Sequence, residues 1–147
     1  MTLRDVTILM NETGAAQPAV RTVVPLDIFR LNTMPDVLYG VFAWTQGQHR
    51  LDIAAGLARF AFTLFYVDRV DEARDNEIIA QSAGVSTLAN IIRVLDASGV
   101  EIEGEAVFQP FTQRFSDDCA GVFTNVTFLV PLDTTCAEDY ESNEDDE

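Results

Sequence analysis

The stretch ARFAFTLFYVD, residues 58 to 68, limits the possible folds more than any other part of this chain. Phe60, Phe62, Leu64 and Tyr66 alternate with Ala61, Thr63, Phe65 and Val67, which is the two-residue period of a strand, and both sets are largely apolar. A strand that is polar on one side can face water there. This one predicts a central position in a sheet, covered on one side by a helix and on the other by a further element or another subunit.

Length and composition allow such a core. At 147 residues, 48% hydrophobic and with ten phenylalanines, the chain suits one domain that buries roughly two-thirds of its unfolded surface. The net charge of −15 argues against phosphate-neutralising nucleic-acid binding and points to protein partners. All nine basic residues are arginine, which suits fixed pairing with carboxylates within the fold or across subunits; a compositional bias of the source is the alternative. Seven of the ten residues from Glu138 onward are acidic and predict a solvated tail. Without them, 17 acids face nine arginines, so the body is still at −8. MTLRDVTILM, with charges at Arg4 and Asp5, is not expected to be a signal peptide, and no run is expected to span a bilayer.

Along the chain, Leu3, Val6, Leu9 and Met10 predict a short amphipathic helix over 2–12, followed by a linker to about Val23 broken by Gly14 and Pro18. An extended piece is expected at Leu26 to Leu31 between Pro25 and Pro35, confined to an edge. VLYGVFAWT is β-rich, and QGQHR reads as the turn before the central strand. VDEARDN reads as a charged turn. AGVSTLANIIRVLDASG predicts the clearest helix, with Val85, Leu88, Ile91, Ile92 and Leu95 as one stripe, Ser86 as its cap and Gly99 as its end. VEIEGEAVFQPF follows, with a bulge at Gly104 and an interruption at Pro110, and after SDDCAG a last strand places Val122, Thr124, Val126 and Phe128 on one side. The order predicts an α+β fold: a small mixed or antiparallel sheet with helices packed on one face. The divisions expected are an N-terminal helix or arm over 1–36, a core domain over 37–133 and an acidic tail over 134–147.

Reactive chemistry finds little support. Asp117 and Asp118 are adjacent, so on a strand they point to opposite faces; in a turn the expected role is bonding to their own backbone, with convergence of the two carboxylates as the alternative. Cys119 reads as a small packed residue, and the only histidine, His49, lies far from it in sequence. Cys119 and Cys136 are expected to be reduced, with closure of a pair as the alternative. One histidine and two scattered cysteines do not make a zinc site, and no DxDxDG loop is present, although weak calcium binding by the many carboxylates stays open. GxGxxG, GxxxxGK[ST] and GxSxG are absent as well, so no catalytic, cofactor or metal residue is assigned and no enzyme is expected. Trp44 and Met34 read as packing residues, while Tyr140 inside the charge run can anchor a segment that folds on binding.

Two segments carry a resemblance. FTLFYVDRVDEARDNEIIAQSAGVSTLANIIRVLD, from Phe62 to Asp96, and FTQRFSDDCAGVFTNVTFLVPL, from Phe111 to Leu132, hold in order VDR(L/V), NEI and QS, TL.NIIR.L, and F…RF.D..AGV. In that order the chain resembles small neck, ring or tail-terminator-like virion proteins of tailed bacteriophages infecting Bacteroidetes, including crAss-like phages, over roughly 37–132. The resemblance implies a tail-terminator-like fold and a structural protein forming a hexameric or dodecameric ring around the DNA channel, between portal and tail proteins. It also implies assembly in the host cytoplasm and residence in the virion neck or tail. Interface residues expected under it are Arg69, Arg74, Arg114, Asp117, Asp118 and Tyr140. The other class kept open is a small acidic inhibitor gripping a basic protein.

Overall fold

The computed structural model describes residues 1–34, 36–71, 76–114 and 118–132, with the side chains of residues 113 and 114 left aside. Two long strands, β4 (Leu57–Arg69) and β7 (Asp118–Pro131), pair antiparallel along their whole length, from Leu57 opposite Pro131 to Arg69 opposite Cys119. This is the central strand that the alternation at 58–68 predicts. Outside β4 lie β2 (Val41–Gln46) and β3 (Arg50–Asp52), and outside β7 lie β6 (Phe108–Arg114) and β5 (Glu101–Ile102). A short β1 (Thr22–Val24) adds parallel to β2, which makes the seven-stranded sheet mixed. The fold is α+β, as expected.

Both α-helices sit on one face. α1 (Leu3–Ala15) and α2 (Glu77–Ala97) bring Val6, Met10, Leu88, Ile91 and Leu95 against Phe42, Trp44, Phe60, Phe62, Tyr66 and Phe128 in a single core. The N-terminal segment thus shares the core of the sheet. α1 starts in a capping box: Thr2 Oγ1 accepts from Asp5 N at 3.1 Å and Thr2 N donates to Asp5 Oδ2 at 3.0 Å, and the backbone bond holds the Asp5 carboxyl below its usual range. Farther along, Trp44 Nε1 donates to Asn11 Oδ1 at 2.8 Å, which gives the buried indole its partner and ties α1 to β2. α2 crosses closely because of Gly84: a Cβ there would lie 2.7 Å from Val122 Cγ2 and 3.1 Å from Tyr66 Cδ2.

Several expectations are corrected. Residues 26–31 are not extended; a 3₁₀ helix runs over Ile28–Thr33, capped by Asp27 Oδ1 accepting from Phe29 N at 2.9 Å. Ile28 and Leu31 are three apart, the repeat of that helix, and both are buried. The extended piece lies just before Pro25, in β1, where a linker was expected. QGQHR is not a turn either. β2 and β3 both run antiparallel to β4, and the register shifts by one residue between Gln46 opposite Phe62 and Arg50 opposite Arg59, so the segment is a bulge in one interrupted strand. The reversal comes at Ile53–Gly56, where Gly56 N donates to Ile53 O at 3.2 Å and Gly56 takes φ +68°.

α2 begins at Glu77, nine residues before Ser86, so Ser86 is an exposed mid-helix residue and Asn76 holds the cap position. Its length adds outward positions, and Val85 is one of them, 39% exposed. The helix ends as expected, at Gly99 with φ +94°. Pro110 lies within β6 instead of interrupting it, which works because β6 is an edge strand and the missing N–H can face outward. Glycine 104, with φ +67°, lies in the loop after β5. Finally, α2 has an 18-residue window of mean hydropathy 1.4, long and apolar enough to cross a bilayer, against the expectation of no such run. Only 33% of that window is buried, which leaves an apolar surface outside.

Candidate functional site

The Cys119 and His49 pairing weighed in the sequence comes apart in space. His49 Nδ1 accepts from Ala61 N at 3.2 Å, so Nε2 carries the proton and donates to Gln46 Oε1 at 2.8 Å. Its ring stands edge-on to Phe60 at 5.6 Å, and burial pushes its pKa down, so it is a neutral packing residue at the bulge. Cys119 is buried opposite Arg69, eight residues farther along β4, or about 26 Å from Ala61 at the rise of a strand. No thiol and base meet there. Burial, and then Asp68, push the Tyr66 hydroxyl up to about 12, which makes it a poor acid or base at neutral pH. Among the described residues no group of three or more His, Cys, Asp or Glu is placed to hold a metal ion.

Among the exposed apolar surfaces of the described residues, two lie at opposite ends of the long strands. At the first end the β3–β4 reversal projects Leu51 at 59% exposure and Ile53 at 79%, with Ala54 and Ala55 exposed beside them. Local bonds hold the shape of this tip. Asp52 Oδ1 accepts from Ala55 N at 3.0 Å, Asp52 Oδ2 accepts from Arg59 Nη1 at 2.7 Å, and Arg59 Nε reaches Glu103 Oε2 at 2.9 Å. The Arg59 bond, followed by the Ala55 N–H, holds the Asp52 carboxyl below its usual range. Leu132 N also donates to Gly56 O at 2.9 Å, fastening the reversal to the end of β7. These groups border an open recess of about 580 Å³, and Arg50 on its wall forms no ion pair among the described residues.

At the other end α2 starts. Ile78 is 70% exposed and Ile79 67%, and with Ser82, Ala83 and Ser86 they line an open recess of about 520 Å³. From residue 78 to residue 92 the helix carries no charge at all, in a chain where 22% of residues are charged. Charge surrounds that face instead: Arg69, Asp71, Glu77 and Asp118 lie at the same end. Asn76 organises the rim, since its Nδ2 donates to Arg69 O at 3.0 Å and its Oδ1 accepts from Asp71 N at 3.0 Å. Asp118 O accepts from Val70 N at 3.0 Å, and Val70 packs on Ala80 and Ala120, joining rim, helix and β7.

Of the expected interface residues, the structure brings Arg69, Asp118 and the backbone of Arg114 together at this end, with Arg114 opposite Asp118 across β6 and β7. Asp118 and Arg69 are exposed, as an interface position requires. Arg74, Asp117 and Tyr140 lie outside the described residues, as does Cys136. Sequence reasoning missed Ile53, Ile78 and Ile79. The tip was hidden because the turn was placed at QGQHR, whereas IAAG before a strongly alternating strand is a fair reversal signal. The helix face was hidden by starting α2 too late; the uncharged run from 78 to 92 was the available sign. No protein-family model matches the chain, and no curated protein matches it either.

Proposed function

We propose that this chain is a structural subunit that assembles with copies of itself into a ring, of the kind found at the neck or head-proximal end of a phage tail. The observation that carries the reading is the pair of exposed apolar surfaces at opposite ends of an otherwise acidic body. A ring made by head-to-tail contact needs two different patches on each subunit, whereas a two-fold dimer needs only one. β4 alone has 13 residues, which at roughly 3.3 Å each separates the patches by about 40 Å.

The virion setting rests on the resemblance over 37–132, and within it an acidic wall suits a DNA channel, because it repels the duplex and lets it slide. Neighbouring ring, portal or tail proteins are the further partners proposed. Light scattering on the purified chain, together with mass spectrometry of purified virions, tests the reading. A ring-sized particle and a virion peptide are expected; a monomer absent from virions overturns it. The second reading, an acidic inhibitor of a basic protein, draws on Glu101, Glu103 and Glu105, all exposed beside the β5 edge. Capture of a basic partner that is lost on reversing those three charges, by a chain that remains monomeric, would favour it.

A further inference from the structure

We infer that the segment from Asp27 to Met34 is a hinged strap that opens locally, uncovering the Cys119 thiol and the apolar end of the sheet's open face while the rest of the fold stays intact. The inference is independent of the subunit reading. Leu26 before the segment and Asp36 after it both have a left-handed backbone, with φ +76° and +52°, and among the described residues they are the only ones other than glycine with positive φ. Strain is thus placed at the two ends of one segment. An aspartate tolerates that conformation, but a leucine there crowds its Cβ against the following carbonyl oxygen. Opening lets both residues return to ordinary backbone, a gain that closure has to offset.

The segment keeps its own shape and is held down by little. Its 3₁₀ helix runs for six residues, longer than such geometry usually sustains. Asp27 Oδ1 accepts from Phe29 N at 2.9 Å, Arg30 N donates to Asp27 O at 3.2 Å, and Thr33 Oγ1 donates to Arg30 O at 2.9 Å. Those bonds close within the segment, so they survive if it lifts as a unit. Toward the sheet, Ile28 and Leu31 are the buried residues of the helix and pack with Val41, Ala43, Val67 and Cys119, whereas Phe29 is 58% exposed. Full burial of one aliphatic side chain favours closure by roughly 10- to 150-fold, and the strain at Leu26 takes back about 5- to 30-fold. Closure is therefore favoured by less than the folding of the whole domain, and the open form is more populated than the unfolded chain. Phe65 and Phe111 pack against the same cluster, so lifting the strap joins them to the uncovered residues in one apolar strip across the strands.

Labelling of Cys119 with an aromatic disulfide reagent tests the opening, in the full chain carrying Cys136→Ser so that Cys119 is the one thiol left. Without urea, labelling is expected to run at least roughly tenfold faster than the unfolding equilibrium from urea melts allows. It should also respond to urea much less steeply than global unfolding does, because lifting the strap exposes little surface. Protection equal to the global value, with the same urea dependence, overturns the strap.

Variants in the same chain separate local from global opening. Val6→Ala thins the core beneath α1, on the other side of the sheet, and should lower the urea midpoint while leaving the labelling rate in water unchanged. A rate that rises in step with the lost stability would mean that Cys119 is reached only through unfolding, and the strap falls. Leu26→Gly, at a position 57% exposed, removes the backbone strain at little cost in burial and should slow labelling severalfold. Ile28→Val removes one buried methyl group from the strap and should speed labelling by about 2- to 10-fold. Unchanged rates in both would overturn the strap even where labelling is fast, since the opening would then lie elsewhere.

Discussion

The two faces of β4 carry nearly the same kind of residue and meet different fates. On the helix side, Ala58, Phe60, Phe62, Leu64 and Tyr66 are all buried, beneath α1 and α2. On the other side the 3₁₀ helix covers only one end, where Ile28 and Leu31 pack with Val41, Ala43, Val67 and Cys119. Past that point Phe65, Phe111 and Phe123 form a half-buried aromatic group, with ring centroids 5.8 to 6.4 Å apart, and then Thr63 bonds Asn125 at 2.6 Å in solvent. Beyond these the face ends in the Arg59 ion pairs. Alternation tells which residues share a face, but the covering element decides whether that face is dry.

The largest effect should come from breaking the covered face. Phe62 packs edge-on to Trp44 at 5.6 Å and against Phe128 at 5.8 Å, and Phe62→Ala is expected to cost about 3–5 kcal/mol in urea unfolding. Phe65→Ala on the open face should cost roughly 1–3 kcal/mol, since part of its ring is already in water. Equal losses would mean that the open face is covered in solution, as a subunit contact would cover it, and the difference should then shrink as protein concentration rises. Next in size is the fit of α2: Gly84→Leu should cost about 1–3 kcal/mol by pushing the helix off Val122 and Tyr66. Asn11→Ala, which leaves the Trp44 indole N–H without its partner, should also cost about 1–3 kcal/mol, in the lower part of that range because the site is partly solvated.

Smaller still is the open end. Arg59→Leu removes two exposed ion pairs, and its effect on stability should be slight and vanish at high salt. The smallest predicted effect is at the bulge. Burial depresses the folded pKa of His49 below the usual imidazole value of 6.5, so the folded state holds fewer protons than the unfolded one in the window beneath that value. The stability from neutral His49 is therefore present above pH 6.5 and lost as pH falls through the lower folded pKa. Urea midpoints at pH 7.5 and pH 5.5 should differ slightly more for wild type than for His49→Gln; identical differences would remove His49 as a contributor.

Much of the fold could be read before any coordinates. Phe60, Phe62, Leu64 and Tyr66 sit where a two-residue period puts them, Leu88, Ile91 and Leu95 where a helical period does, and Val122, Val126 and Phe128 line the inner face of β7 as expected. Less of the candidate site was legible. Arg69 and Asp118 were found from the sequence, but the apolar residues beside them were not, because an exposed isoleucine and a buried one look alike in a string of letters. The bulge at Gly47–His49 was illegible for a related reason: a polar run signals a break in the ladder and not whether the chain then turns back or carries on.

By itself, then, the sequence determined the periods: which residues share a face of β4, β7 and α2, that the fold mixes helices with a sheet, and that its body is acidic. Those properties are local or additive, so they survive without knowledge of neighbours. Tertiary structure alone decided that β2 and β3 run on along β4, that Ile28 to Thr33 coils under the sheet, and that Ile53, Ile78 and Ile79 stand in water at opposite ends of one body. Burial depends on which distant segment arrives to cover a surface, and that is a property of the whole packed chain.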